Sequence, residues 1–266
     1  MGTFTLKHSI NSGDLVAAMA GIRHLYRRSG KKSVIYQRLD MPGQYYQGAV
    51  HPVKDDQGTQ VTMNERQWEM LKPLLEAQEY IDHCEEWVGQ PVDINLDQLL
   101  EGNFANKPYG IIQRWPFYVI PSMACDLSES WLEVNEDATI NTGRQVIINY
   151  TQRYRNHLIS YFFLEKYKDT LVFAGTKEEH ESFNKMYKLD LPYLQVNNFL
   201  DLAKAIKAAP FFAGNQSMCY QIAEAMKTPR LLELCTFAPN TFPIGPDGYD
   251  YFNQASVEYY FETLMK

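Results

Sequence analysis

The second half of the sequence alternates short apolar segments with amphipathic ones, and this alternation constrains the fold more than any other feature. The spacing is typical of a strand, a crossover helix and the next parallel strand. Five strands are predicted at 146–150, 170–174, 193–196, 211–213 and 230–234, with four helices between them, of which the first is predicted at about 157–167. The pattern predicts a compact α/β domain built on a parallel sheet.

The first half opens in the same order. A strand at 3–7 is followed by a polar loop at 8–13, an amphipathic helix from Asp14 to about Arg28 and a strand at 33–36. This order is the usual entry to a doubly wound sheet. Residues 101–145 carry the weakest pattern of the chain.

Two Rossmann-like halves follow from these patterns, and the predicted fold class is α/β with two doubly wound domains facing a central cleft. We predict an N-terminal domain at 1–130, a C-terminal domain at 131–252 and a terminal helix at 253–266. Ligands of such folds bind outside the carboxyl ends of the strands. The loops with candidate chemistry are therefore 8–14, 149–156, 174–178 and 213–218.

Composition limits the class of protein. The chain has 266 residues, more than one average domain, and its 45% of apolar residues argues against disorder. A net charge of −7 disfavours binding to nucleic acid over a broad surface. No apolar run approaches the about 18 residues of a membrane span, and no secretory pattern opens the chain. The four cysteines form no CxxC pair, so we expect a soluble, cytoplasmic protein.

The loop after the first predicted strand, formed by Asn11, Ser12, Gly13 and Asp14, is a candidate acceptor site. Gly13 permits close backbone approach, and helix N-terminal amides could receive an oxygen atom. Asp14 could act as a general base that removes a proton from an acceptor hydroxyl. The alternative is that Asp14 only caps the helix.

Two loops of the second half are candidate phosphate sites. Thr151, Arg153 and Arg155 directly follow an apolar strand, and a guanidinium binds phosphate with two hydrogen bonds. The alternative is an exposed turn. A second candidate combines a glycine with small polar residues that open a helix, where backbone amides bind anions; its residues are Gly214, Asn215, Gln216 and Ser217. An ordinary helix cap explains the same pattern.

Four further features have weaker arguments. Gly175 ends a predicted strand in one of the candidate loops, and Glu233 could accept hydrogen bonds from ribose hydroxyls. The pair Tyr45–Tyr46 and the cluster Trp115–Tyr118 could stack on a sugar or a base. The alternative is that these rings pack inside the protein.

Several familiar motifs are missing from the sequence. The six histidines form no HxxxH pair and no His/Cys cluster with metal spacing. GxGxxG, Walker A, GxSxG and the DxD pair that would hold Mg²⁺ on a sugar diphosphate are also absent. We therefore expect no bound cofactor or metal.

Several segments together resemble one family. The first half carries S-x-x-S-G-D-L-V and then A-x-x-G-I-R-H-L, and the second carries V-I-I-N-Y-T-x-R-Y-R-N, V-F-A-G-T-x-x-E and F-A-G-N-Q-S. In this order they resemble GT-B glycosyltransferases, specifically the ADP-heptose:lipopolysaccharide heptosyltransferase-like group, glycosyltransferase family 9. The resemblance covers both halves, and the chain is shorter than a typical heptosyltransferase.

The resemblance implies an enzyme that moves a sugar from a nucleotide-diphosphate sugar to an acceptor hydroxyl, without metal and with inversion. The acceptor implied is a glycan or a lipopolysaccharide-type saccharide. Asp14 matches the family's base, and Arg153 or Arg155 would neutralise the departing diphosphate. Gly214–Ser217 matches the family's D-[ST]-G-x-x-H, with Asn215 in place of the acid. The terminal helix would pack back on the N-terminal domain.

Other functional classes remain open at this stage. One is an inactive GT-B-like protein that binds a nucleotide-sugar or a glycan. Another is a related enzyme, either a sugar-nucleotide epimerase or a transferase acting on a modified nucleobase, although the negative net charge counts against a DNA acceptor. The sequence makes no prediction of oligomeric state.

Overall fold

The computed structural model of the chain describes residues 2–43, 45, 51–98, 110–120, 126–137, 139–141, 143, 145–238 and 240–266. The chain divides into two compact units. Unit 1 consists of Met1–Leu127, Trp131–Glu133 and Asn198–Leu200, and unit 2 consists of Ser128–Ser130, Val134–Asn197 and Asp201–Lys266.

Unit 1 contains a four-stranded parallel sheet. In chain order its elements are β1 (Phe4–His8), α1 (Ser12–Ser29), β2 (Ser33–Gln37), α2 (Glu65–Glu76), β3 (Ile81–Glu86), β4 (Ile94–Asn95) and a 3₁₀ helix (Ile112–Tyr118). The strand order is β3-β2-β1-β4, and Leu6 of β1 lies opposite Ile35 on one side and Ile94 on the other. The order reverses beside β1, so the topological switch point of this sheet lies next to the loop that follows β1.

Helix α1 connects β1 to β2. It packs on the sheet because the face that meets the sheet is apolar. Leu15 and Ile22 are fully buried on that face. Asn11 is the extended N-cap, and the helix ends at Gly30, which adopts φ 69° and donates its N–H to the Tyr26 carbonyl. A left-handed residue after the last turn is where glycine is favoured. Asp14 therefore lies in the first turn of α1 and is not its N-cap.

Unit 2 contains a five-stranded sheet. Its elements are β5 (Val146–Asn149), a 3₁₀ helix (Phe162–Thr170), β6 (Leu171–Phe173), α3 (Lys177–Tyr187), α4 (Phe199–Ala208), β7 (Phe212–Asn215), α5 (Met218–Met226), β8 (Arg230–Glu233), β9 (Gly248–Tyr251) and α6 (Gln254–Leu264). The order is β6-β5-β7-β8-β9, with every neighbouring pair parallel. The switch point lies between β5 and β7, whose following loops carry the predicted phosphate ligands. The α/β class with parallel sheets is confirmed.

Three elements of unit 2 differ from their predictions. The helix predicted at 157–167 is wrong, since the segment forms a 3₁₀ helix that begins only at Phe162. The strand predicted at 193–196 is reduced to a single bridge between Phe173 and Tyr193. Conversely, β9 has the half-polar sequence GYDY and escaped prediction. These segments are short, and pairing or packing with distant residues determines their conformation.

The terminal helix α6 belongs to unit 2. Val257 and Phe261 of α6 belong to the buried core of unit 2. The Phe261 ring meets Phe211 edge to face, with centroids 5.1 Å apart, and also contacts Tyr167. The apolar stripe of α6 is therefore used within the C-terminal unit. Among the described helices, none has the length and apolar character that a bilayer crossing requires.

Candidate functional site

The candidate site of unit 2 is built around Asn215, the last residue of β7. Its side chain is fully buried, and every polar atom of its amide is used. The amide nitrogen donates to the carbonyls of Thr151 (3.0 Å) and Arg153 (2.8 Å), and the amide oxygen accepts from the Thr151 N–H (2.9 Å). Asn215 therefore fixes the loop after β5, and its predicted contact with the donor remains a prediction.

Arg153 projects from this fixed loop and is half-buried. Its Nε is buried without a hydrogen-bond partner, and its guanidinium lies 5.7 Å from the centre of the Tyr154 ring. Tyr154 itself has φ 52°, a left-handed conformation uncommon for a bulky residue. The structure thus holds a cation with an unused donor at the carboxyl end of β5, as expected of a phosphate ligand.

The start of helix α5 lies at the end of neighbouring β7. Ser217 is its N-cap and accepts a hydrogen bond from the Tyr220 N–H at 3.1 Å. Gln216 precedes it and donates to the side chain of Asn240. Capping by Ser217 satisfies one of the first amides, and the remaining amides and the helix dipole favour an anion at this end. The Asn/Ser cap and the anion site suggested by the sequence are thus compatible.

The sequence analysis missed Glu179, which lies in the same region. The Thr176 hydroxyl caps α3 by accepting from the Glu179 N–H, and the Glu179 carboxylate accepts from the Thr176 N–H, which completes a capping box. Burial raises the pKa of Glu179, and the Thr176 amide and Arg153 only partly oppose this. The T-x-x-E spacing after Gly175 could have indicated this residue. Gly175 has φ 153°, and a Cβ there would lie 2.9 Å from a Glu179 oxygen.

One further polar atom in this region is unused. Asn149, at the end of β5, donates its amide to the Ala174 carbonyl at 2.7 Å. Its Oδ1 is buried and has no partner. Because most buried polar atoms in proteins are hydrogen-bonded, Asn149 is a second candidate that sequence reasoning missed. An asparagine that ends an apolar strand was its only signal in the sequence.

Glu233 and Arg155 lie side by side in the interior of unit 2. Glu233 is fully buried and accepts hydrogen bonds from the Asn156 N–H and the Tyr161 hydroxyl. Arg155 lies beside it, with Nε 3.5 Å from a Glu233 oxygen, and donates to the Tyr187 hydroxyl. Burial raises the pKa of Glu233 in spite of Arg155. Glu233 and Arg155 therefore belong to one internal network, and their roles as ribose and phosphate ligands remain predictions.

Gly214 also has a structural role. A Cβ at this position would lie 2.4 Å from the Asn149 carbonyl oxygen on the paired strand β5. The glycine is therefore required by the close approach of two strands, and its prediction as a ligand-binding residue is not needed to explain it.

The candidate site of unit 1 lies at the start of α1. Asp14 accepts a hydrogen bond from the Asn11 amide at 3.0 Å, and Asn11 in turn accepts one from the Tyr45 hydroxyl at 2.7 Å. The Tyr45 ring stacks on His51, with centroids 4.4 Å apart. This chain of contacts orients the Asp14 carboxylate at the switch point of the sheet.

The two residues between Asn11 and Asp14 belong to the first turn of α1. Ser12 is buried, and its hydroxyl accepts from the Gln67 amide at 3.1 Å. Gly13 lies within α1 and is not among the described glycines with positive φ. Both residues therefore form part of the first turn of α1, and Gly13 does not adopt a positive φ.

A buried polar group next to this loop was not predicted. Lys7 lies 3.2 Å from Asp97 and 4.3 Å from the centre of the Trp87 ring. Ser9 donates to Asp97, whose second oxygen is buried without a partner. The residues lie far apart in sequence and meet only because β1 and β4 are neighbours.

The remaining candidates are resolved in part. Tyr46 lies outside the described residues. In the aromatic cluster, Pro116 is buried against Gly21 of α1 and Phe117 packs on His24, whereas Tyr118 is 61% exposed. Within the described chain, no group of three or more His, Cys, Asp or Glu residues is placed to hold a metal ion. Metal independence remains a prediction.

Solved structures resemble this chain over almost its whole length. A glycosyl transferase family 9 protein from Veillonella parvula is 11% identical with a TM-score of 0.58, over 98% of this chain and 88% of that chain. The E. coli ADP-heptose LPS heptosyltransferase II is 12% identical with a TM-score of 0.58, over 99% and 98%. The E. coli heptosyltransferase WaaC with ADP is 10% identical with a TM-score of 0.59, over 98% and 99%.

At these identities the likeness shows a shared fold. It confirms the resemblance to heptosyltransferase-like GT-B structures that the sequence motifs suggested. No family model matches the sequence, and no curated protein matches it in a sequence search.

Proposed function

We propose that the protein is a glycosyltransferase that moves a sugar from a nucleotide-diphosphate sugar to an acceptor hydroxyl. The observation that carries this proposal is the likeness to heptosyltransferase structures over nearly the full length of both chains. In addition, polar residues are held at the carboxyl edge of each sheet, beside its switch point.

The donor is assigned to unit 2. Arg153 offers a guanidinium with an unpartnered Nε, and the start of α5 offers amides and a positive helix end. Both groups suit a diphosphate and stabilise the charge that develops on it as the sugar departs. In this metal-independent mechanism the Arg153 guanidinium and the amides at the start of α5 stabilise the negative charge on the departing diphosphate.

Asp14 of unit 1 is the proposed general base. Its carboxylate takes the proton of the acceptor hydroxyl while that oxygen forms a bond to the anomeric carbon. The bond from the anomeric carbon to the diphosphate breaks with its electron pair leaving on the diphosphate, so the configuration inverts. The Asn11 amide, which donates to Asp14, keeps the carboxylate oriented. We propose a glycan or lipopolysaccharide-type saccharide as acceptor, in line with the heptosyltransferases of similar fold.

Donor binding can be tested without knowing the acceptor. Nucleoside diphosphates and their sugar conjugates should raise the melting temperature of the protein, because a ligand of the native state stabilises it. Arg153→Gln should abolish the shift, whereas Lys204→Gln on helix α4 should keep it. If no nucleoside diphosphate and no nucleotide-sugar shifts the melting temperature, the proposed function is wrong.

Catalysis is tested at Asp14. We expect Asp14→Asn to keep the hydrogen bond from Asn11 and the donor-induced thermal shift, but to lower kcat by about 10²–10⁴-fold, the usual contribution of a general base. Glu65→Gln, an exposed acid in the first turn of α2, is the matched control and should keep its activity. Turnover at the wild-type rate in Asp14→Asn would show that the base is another residue.

A further inference from the structure

We propose that Tyr154 and Phe237 form an aromatic platform on which the base of the nucleotide donor stacks, with a preference for purines. This inference rests on the proposed function and adds the residues that recognise the base. It assigns two rings of unit 2 that the sequence did not mark as candidate ligands.

The two rings come from different loops at the same edge of the sheet. Tyr154 follows β5 and Phe237 follows β8, and their centroids are 6.3 Å apart with planes inclined by 33°. Phe237 is 52% exposed, although a phenylalanine gains free energy from burial. An apolar ring exposed at the carboxyl edge of a doubly wound sheet lies where ligands of this architecture bind.

The conformation of Tyr154 is imposed by its surroundings. A tyrosine with φ 52° is strained relative to the ordinary β or α regions. Asn215 binds the carbonyl of the preceding residue, Arg153, and so holds the backbone that sets the direction of the Tyr154 ring. Strain that is maintained by a buried hydrogen bond is typical of residues positioned for a function.

The neighbouring charge indicates which ligand the platform suits. The Arg153 guanidinium lies 5.7 Å from the centre of the Tyr154 ring, so a cation and an aromatic surface are adjacent. A nucleotide presents an anionic diphosphate and a flat base within one molecule, and bases stack on aromatic side chains whatever their hydrogen-bonding edge. Purines offer a larger ring surface than pyrimidines and should bind more tightly.

The experiment compares four probes by calorimetry: ADP, UDP, ADP-glucose and inorganic pyrophosphate. We expect Phe237→Ala to raise the Kd of ADP by about 5- to 150-fold, the range of one lost base–aromatic contact. The Kd of pyrophosphate should change less than twofold, and Phe237→Tyr should restore ADP binding. Tyr154→Asn, a residue that tolerates positive φ, should resemble Phe237→Ala. Tyr259→Ala, on an exposed ring of α6, is the control and should bind as wild type.

Each other outcome has a defined meaning. Equal ADP affinity in Phe237→Ala and wild type overturns the platform while the proposed function stands. Tighter binding of UDP than of ADP by the wild type also overturns the platform while the proposed function stands. The same holds if Phe237→Ala weakens the binding of ADP-glucose but not of ADP, since the rings would then contact the sugar. Binding of pyrophosphate without ADP also overturns the platform. If the wild type binds none of the four probes, the platform and the proposed function are both wrong.

Discussion

The side chain of Asn215 shows how a single amide determines the shape of a binding loop. Its two N–H groups point to two backbone carbonyls, and its oxygen accepts one backbone N–H. The resemblance to heptosyltransferases sets an acidic residue at this position. A carboxylate could accept from the Thr151 N–H but would repel both carbonyls.

We therefore expect Asn215→Asp to destabilise the protein by about 3 kcal/mol or more, because two hydrogen bonds are lost and a charge is buried. Urea unfolding measures the change. Gln216→Glu, which alters one half-buried amide next to it, should cost about 1 kcal/mol. An Asn215→Asp variant as stable as wild type would contradict the assigned role of the amide.

Glu179 should make the stability of the protein depend on pH. Its pKa is raised by burial, so the folded state binds the proton more tightly than the unfolded chain. Its contribution is full below the ordinary pKa of a glutamate and is lost as the pH rises through the folded-state pKa. Glu179→Gln keeps the capping box, since glutamine also serves at this position.

We expect the free energy of unfolding of Glu179→Gln, relative to wild type, to increase between pH 4.5 and pH 8. Urea unfolding at a series of pH values measures this difference. Glu181→Gln, on an exposed position of the same helix, should show no such trend. A wild-type protein that gains stability over the variant as the pH rises would reverse the sign and refute the argument.

At the scale of elements, the pairing of β5 with β7 depends on Gly214. We expect Gly214→Ala to lower the free energy of unfolding by about 3 kcal/mol, because the new Cβ would meet a backbone oxygen at 2.4 Å and the strands would have to separate. Gly2→Ala is the control, since no heavy atom lies within 4 Å of its added Cβ. Equal stability of both variants would show that the strands can move apart at little cost.

The elements also show what a sequence can predict. Helix α2 has its N-cap at Asn64 and a buried face with Trp68 and Leu71, and both can be read from the sequence because capping and helical periodicity are local signals. Strand β9 was missed because its half-polar residues become a strand only through pairing with β8. The helix predicted at 157–167 was wrong since the loop there is held by distant partners such as Gln254, which bonds Ser160 in both directions.

The candidate site divides in the same way. Arg153, Ser217 and Asp14 could be proposed from their place after predicted strands, and the structure finds them at the carboxyl edges of the sheets. The hydrogen bond from the Tyr161 hydroxyl to Glu233 could not be predicted, because the two residues lie far apart in sequence and meet only in the folded chain. The position of a residue in the sequence indicates that it lies near the carboxyl edge of a sheet. Which hydrogen bonds its side chain makes there depends on how the chain packs.

At the scale of the whole molecule, the two units have separate spectroscopic signals. All four tryptophans, Trp68, Trp87, Trp115 and Trp131, belong to unit 1, whereas the buried tyrosine cluster around Tyr161 belongs to unit 2. We expect Gly214→Ala to shift part of the urea transition followed by far-UV circular dichroism and to leave the tryptophan fluorescence transition in place. Coincident shifts of both signals would show that the chain unfolds as one cooperative unit.

The strand pairings have a consequence for the time the chain needs to fold. All seven pairings between the described strands are parallel. A parallel partner can arrive only after a crossover has been made, so β5 with its apolar sequence VIIN is synthesised well before β6 and β7. Chains with such non-local strand pairings fold slowly, and their unpaired apolar strands are exposed to aggregation until the sheet has formed. Refolding yield should therefore fall as protein concentration rises, and the slow step should be the assembly of the second sheet around β5.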